Sequence, residues 1–242
     1  MSGQTFEESI KSTMERGMNM KDEEKLYKRN GILYSTIMSP PENLDALKDL
    51  EAREDDVLLV AYPKCGCNWM LGVLRKIMTI CGYTLPDSHS LLEFYSPDTQ
   101  KITEYRLLTL TGFSYAVGMG SYFDHALGWE KHMDDPNVLI VTFEELKENL
   151  HEGVKKITDF FSFNLTDEQI KAITGESTFS AMQSSSKTSH GNFASIIFRK
   201  GEVGDWKNHF SEAQSKQMDE EFKKKLSGTK LGAKLKYEQY CQ

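Results

Sequence analysis

Val57-Leu58-Leu59-Val60-Ala61-Tyr62-Pro63-Lys64-Cys65-Gly66-Cys67-Asn68-Trp69-Met70 is the stretch of this 242-residue chain that decides its fold. The first five residues are all apolar. A short apolar run without alternation, closed by Pro and Gly, suits a strand buried on both faces of a parallel sheet. Past Gly66 the period changes, and Trp69, Met70, Val73, Leu74, Ile77 and Met78 recur at helical spacing. Asp56–Met78 therefore reads as strand, tight loop, helix. Working outward, Val138-Leu139-Ile140-Val141 is a second buried-strand candidate, with helical patterns after it over 143–150, 154–161 and 167–174. Pro40-Pro41 mark a break before a short helix over 42–50, and residues 1–30 read as a helix or a loose lead-in. Ser184–Asn192 is polar and Ser-rich, which predicts a mobile loop, and Ser211–Leu226 predicts an amphipathic helix. Strands interleaved with helices predict an α/β fold with a parallel sheet. No internal repeat or boundary divides the chain, so residues 1–242 read as a single domain.

Composition excludes several classes. A formal net charge of −7 argues against general nucleic-acid binding, which needs a basic stripe. It leaves room for a small anionic ligand in a local basic pocket. No stretch approaches the roughly 20 apolar residues that span a bilayer, and the amino end has no signal-peptide core. The expected compartment is therefore the cytoplasm, with no membrane partner. Cys65, Cys67, Cys81 and Cys241 read as free thiols of a reducing compartment in preference to a disulfide framework. No second Cys or His pair follows at zinc-ligand spacing, so no metal is expected.

Two clusters carry chemistry. In the first, Lys64 and Gly66 stand where a strand turns into a helix. The first N–H groups of a helix lack intrahelical acceptors, and its dipole places about half a positive charge there. With a lysine beside it this makes an anion cradle, although a plain surface turn fits the same residues. The spacing is not that of a Walker A loop. The second cluster is Phe198-Arg199-Lys200-Gly201-Glu202-Val203-Gly204-Asp205-Trp206-Lys207-Asn208. Arg offers a planar fork of donors to a phosphate, and Lys a point charge. Gly201 and Gly204 permit unusual backbone angles. Read alone, this cluster also fits a solvated basic turn.

Together, and in this order, Tyr-Pro-Lys-x-Gly-x-x-Trp and Arg-Lys-Gly-x-x-Gly-Asp-Trp-Lys-Asn resemble the cytosolic sulfotransferase family. The flanks resemble it too: Ser177-Thr178-Phe179-Ser180-Ala181-Met182, Ser121–His125 and Glu144–Asn149. Cys65, where the family usually has Ser, and the ending Leu235–Cys241 look closest to the 6B branch. The resemblance covers residues 42–106 and 120–242. It implies a doubly wound sheet with helices on both sides and ligands at the carboxyl ends of the strands. It also implies a co-substrate, the activated-sulfate nucleotide PAPS, and a small-molecule acceptor with a hydroxyl or amine. By this resemblance Lys64 would stabilise charge on the bridging and leaving oxygens. Cys65, Gly66, Cys67, Asn68 and Trp69 would hold the 5′-phosphosulfate, with Trp69 near the purine. Arg199, Lys200 and Gly201 would hold the 3′-phosphate. Phe179 and Met182, after Ser177 and Thr178, would pack on the adenine, and Phe143 stands where the family has a nucleotide-contacting Tyr.

The departures are as specific. Cys67 and Asn68 replace Thr residues. Between Arg106 and Gly120, where the family inserts several tens of residues, this chain has only Leu107–Met119. The absent stretch carries, in the family, the acceptor-activating His, an Arg and a Ser of the 3′-phosphate site, and core strands. Part of the central sheet is therefore expected to be missing. None of the six His stands in that catalytic context, and His89 is the nearest stand-in. Glu212 replaces an apolar Val of the family's dimer segment, which argues against a family-type homodimer. Two readings stay open: an active sulfotransferase, or a weak or inactive PAPS-binding pseudoenzyme that partners a full-length subunit. A P-loop kinase is disfavoured by the absent Walker A spacing and Mg²⁺ ligands.

Overall fold

The computed structural model describes residues 6–37, 39–49, 57–83, 107–111, 121–190 and 200–241. Phe6–Asn19 forms helix α1. Strands β1 (Leu26–Arg29) and β2 (Ile32–Ser35) then pair antiparallel across Asn30-Gly31, both of which have positive φ. A two-residue turn of that kind favours Asn-Gly, so the dipeptide, straddling the end of the stretch read as a lead-in, carries a hairpin signal. Pro41–Ala46 is helix α2, and Leu47–Asp49 continues it as a 3-10 turn.

Strand β3 (Leu58–Ala61) runs into helix α3 (Cys67–Ile80), as its apolar run and change of period predict. Strand β4 is Leu107–Thr111, helix α4 is Tyr122–Glu130 and strand β5 is Val138–Thr142. The three strands form a parallel sheet in the order β3-β4-β5, with Leu58 opposite Leu107 and Leu107 opposite Val138. Among the described residues the parallel sheet thus has three adjacent strands, with β4 between the other two. Leu107-Leu108-Thr109-Leu110-Thr111, the start of the shortened stretch, is apolar and β-branched enough to pair on both sides.

Helices α5 (Phe143–Glu148) and α6 (Leu150–Phe160) correspond to the two helical runs expected over 143–150 and 154–161, with the second starting four residues earlier. Asn149 ends the first and caps the second, its side chain accepting from the Glu152 N–H. Helices α7 (Asp167–Glu176) and α8 (Phe179–His190) follow. The mobile loop expected over 184–192 is helical as far as His190. Ser184 and Ser185 donate their hydroxyls back to the carbonyls of Ser180 and Met182, which satisfies them inside the helix. Asp205–Asn208 is a 3-10 turn, and helices α9 (Glu212–Lys225), α10 (Lys230–Lys234) and α11 (Tyr237–Cys241) complete the described chain. Helix α9 starts at the expected place, because Ser211 and Gln214 form a reciprocal capping box.

The core lies on both faces of the parallel sheet. Successive strand residues point to opposite faces. Val141 joins Met70, Val73, Leu74 and Ile77 of α3 with Val154 and Ile157 of α6. Its neighbour Ile140 joins Tyr122 and Phe123 of α4, Phe222 of α9 and Leu231 of α10. Met70, Val73, Leu74 and Ile77 stand at i, i+3, i+4 and i+7, the buried stripe of an amphipathic helix. Helices therefore cover both faces, and the loops at the carboxyl ends of β3 and β5 are held on one edge. Among the described residues no helix is long and apolar enough to cross a membrane.

Candidate active site

The β3–α3 connection is a tight turn. The Cys65 N–H donates to the Tyr62 carbonyl at 3.1 Å, with Pro63 second and Lys64 third at φ 69°. Proline second and a positive φ third define a type II turn, whose third position favours glycine. A lysine there costs about 1 kcal/mol of backbone strain. The turn leaves Lys64 exposed and buries Cys65, which anchors the loop beside Tyr62 and Tyr122. Gly66, at φ 93°, is the helix N-cap, and no side chain caps α3. The first-turn amides of α3 thus face the loop with Lys64 beside them, the anion cradle that the sequence suggests. Trp69 is fixed by its indole N–H, which donates to the Ser177 carbonyl at 2.7 Å, and by the edge of Phe143 at 5.5 Å.

The second loop is built differently. Gly201 and Gly204 have φ of 63° and 85°. The Phe179 ring lies so close to Gly201 that a Cβ there would meet Cδ2 at 2.1 Å. Asp205, its carboxylate 8 % exposed, accepts from Lys200 Nζ at 2.6 Å and from Asn208 Nδ2 at 3.0 Å. It also meets His209 Nε2 at 3.1 Å. Lys200 is therefore ion-paired, where the sequence reading gave it to a phosphate. Arg199 lies outside the described residues, as does His89.

Both loops line one cleft of about 930 Å³. Lys64, Cys65, Gly66, Cys67, Asn68, Trp69, Phe143, Phe179, Lys200 and Gly201 all contribute to it. Ser177 and Met182 are buried and Thr178 is exposed, and none of the three lines the cleft. Ser177 acts through its carbonyl on Trp69. Met182 fills the space beside Gly72, where a Cβ would meet its Cε at 2.2 Å, and its sulfur lies 3.4 Å from Lys76 Nζ. The cleft also takes residues the sequence reading did not assign: Lys147, Glu144, Trp206, His209, Tyr240 and Cys241. Phe143 and Lys147 are four apart on one helix, a spacing that would have flagged Lys147 once Phe143 was placed. Cys241 is far away in sequence and gave no such signal. Burial, with Glu144 and Asp219 nearby, pushes its thiol up to about 12, so it is not a nucleophile near neutrality.

The family model for the sulfotransferase domain matches residues 99–230, more than half of the chain. Sulfotransferase 6B1 of Danio rerio is 50 % identical over 293 aligned positions, covering 96 % of this chain and 99 % of that protein. The chain belongs to the sulfotransferase family, in its 6B branch. Human sulfotransferase 6B1 is 36 % identical, covering 98 % of each chain. Among solved structures, mouse sulfotransferase SULT7A1 complexed with PAP matches at a TM-score of 0.74 and 26 % identity. That match covers 88 % of this chain and 98 % of the mouse one. A retinol dehydratase complexed with androsterone and the inactive cofactor PAP shares the fold at a TM-score of 0.63. The alignment with the Danio rerio protein is longer than this 242-residue sulfotransferase chain, so it opens a gap here where the relative has residues.

Proposed function

We propose that this chain binds PAPS and transfers its sulfonate to a hydroxyl or amine of a small-molecule acceptor, as a single domain and with a low rate on its own. The observation that carries the reading is the convergence of two loops, separated by some 130 residues of sequence, on one cleft in a sulfotransferase chain. Its volume of about 930 Å³ suits a nucleotide with a small acceptor beside it. The PAP-bound mouse sulfotransferase supports the choice of nucleotide.

The cleft's donors fit such a ligand. The uncapped amino end of α3 offers amides to a phosphate or sulfonate oxygen. Lys64 stands beside them to hold the negative charge that grows on the leaving oxygen. Trp69 and Phe143 give an aromatic wall to a purine, and Phe179 against Gly201 a second one. When bound, PAPS supplies the sulfonate, and the remaining 3′,5′-bisphosphate departs with the charge.

The low rate follows from the gap. β4 carries only Leu and Thr at the carboxyl edge of the sheet, so it brings no His or Arg to the cleft. Among the described residues the histidine that lines the cleft, His209, is engaged by Asp205, so an acceptor that ionises readily is favoured, since general-base help is typically worth roughly 10²–10⁴-fold. Phenols are such acceptors. A second reading, a PAP-binding chain without turnover, is favoured by the same gap.

One experiment separates the two. PAP is titrated into purified protein by calorimetry, and the same preparation is assayed with PAPS and a phenol. Saturable PAP binding with slow phenol sulfonation supports the transferase. Binding without turnover supports the second reading, and absence of PAP binding overturns both. Grafting a relative's intervening segment between Arg106 and Gly120 should raise turnover. A graft no faster than the natural chain would show that the gap is harmless to the chemistry.

A further inference from the structure

Among the described residues, three lysines line the cleft: Lys64, Lys147 and Lys200. Lys200 is held by Asp205 at 2.6 Å. Among the described residues neither Lys64 nor Lys147 has a carboxylate partner. Lys64 already stands with the α3 amides, which suits one anionic group. A nucleoside 3′,5′-bisphosphate brings a second dianion, and a second cation must meet it away from the first loop.

Lys147 is placed for this by the fold. It stands in the last turn of α5, exposed, one turn beyond Phe143 and on the same side. Phe143 packs its ring on Trp69 of the first loop. Helices α3 and α5 both begin at the carboxyl ends of parallel strands, β3 and β5, separated only by β4. Two inter-strand spacings amount to about 10 Å. The two lysines without acidic partners therefore lie on the same edge of the sheet, on either side of an aromatic pair that could carry the base.

We propose that Lys147 binds the 3′-phosphate of the nucleotide. The contact is additional to Lys200 and Gly201, and takes over part of the role of the Arg and Ser that the shortened stretch lacks. The inference rests on the PAPS-binding reading above.

The test compares PAP with AMP, which has the 5′-phosphate alone, on wild type, Lys147→Gln and Lys147→Arg, at fixed ionic strength. Lys147 is exposed on a helix surface, and melting curves establish that each variant is folded. Loss of one charge-assisted hydrogen bond should weaken PAP binding by about tenfold or more in Lys147→Gln. AMP affinity should stay within about twofold, and Lys147→Arg should restore most of the PAP affinity, because Arg suits phosphate at least as well. Unchanged PAP affinity in Lys147→Gln overturns the proposal. Equal losses for PAP and AMP also overturn it, since they indicate only the overall field of the cleft. Wild-type protein that fails to bind PAP would overturn the nucleotide reading itself, a different outcome from wild-type binding with an indifferent variant.

Discussion

The two loops that face each other across the cleft are anchored in opposite ways. The first, Tyr62–Trp69, hangs between a half-buried strand and a 14-residue helix whose apolar stripe is fully packed. Its shape is set by backbone: a type II turn, a left-handed Gly66 and the buried Cys65. Its cation, Lys64, has no acidic partner among the described residues. The second loop, Gly201–Asn208, has no residue in the hydrophobic core except the partly packed Trp206. Its shape is set by side chains, with Phe179 pressed on Gly201 and Asp205 gathering Lys200, Asn208 and His209. A backbone-built site holds its charge ready. A side-chain-built site has its charge already engaged, and a ligand must compete for it.

The sharpest way to break this contrast is Lys64→Gly. Glycine suits the positive φ at that position, so melting temperature should hold or rise slightly. Sulfonate transfer should nevertheless fall by about 10²–10³-fold, the size of losing one preorganised charge-stabilising donor. If transfer survives in a folded Lys64→Gly protein, the first loop is a structural turn and the comparison collapses. Single-turnover assays with PAPS and a phenol would measure it.

Gly201→Ala probes the other loop. The new methyl would collide with Phe179 and also sit at φ 63°, which together cost on the order of 2 kcal/mol. The second loop depends on that contact, so PAP affinity should drop about tenfold or more. The core, which Gly201 does not enter, should keep its secondary structure by circular dichroism. Equal PAP affinity in variant and wild type would show that the loop is placed by something other than the Phe179 contact.

The smallest effect concerns the wall that carries Phe143 and Lys147. Glu145 is three-quarters buried in α5 and accepts from Lys156 at 3.0 Å and Lys234 at 2.7 Å. Burial works against its ionisation, but Lys234 and Lys156 outweigh it and hold the carboxyl below its ordinary range. A depressed folded value means stability that is present above the unfolded carboxylate pKa of about 4.3 and lost as pH falls through the folded one. Glu145→Gln should therefore be less stable than wild type by about 1 kcal/mol near neutrality. The difference should shrink as pH falls below about 4. A difference that stays constant from pH 7 to pH 3 in denaturant titrations would show that the charge pair does not hold this wall.

The sequence by itself determined the frame. Short-range patterns give β3, α3, β5 and α9, because a buried strand must be apolar and a helix must present its stripe at a fixed period. Cap chemistry marked the start of α9 at Ser211, and Asn30-Gly31 carried a hairpin signal that went unread. Both loops were also legible as candidates, since Lys-x-Gly before a helix and Arg-Lys-Gly beside Gly204, in that order, carry the family resemblance. Tertiary structure alone decided three things. It put Leu107–Thr111 into the middle of the sheet, because a strand's position depends on which neighbours its backbone can pair with, and apolarity does not encode that. It engaged Lys200 with Asp205, five residues away, because a charge takes the nearest geometrically available partner. It also brought Lys147, Tyr240 and Cys241 to the wall of the cleft, because the parallel sheet aligns strand ends that lie far apart in the chain.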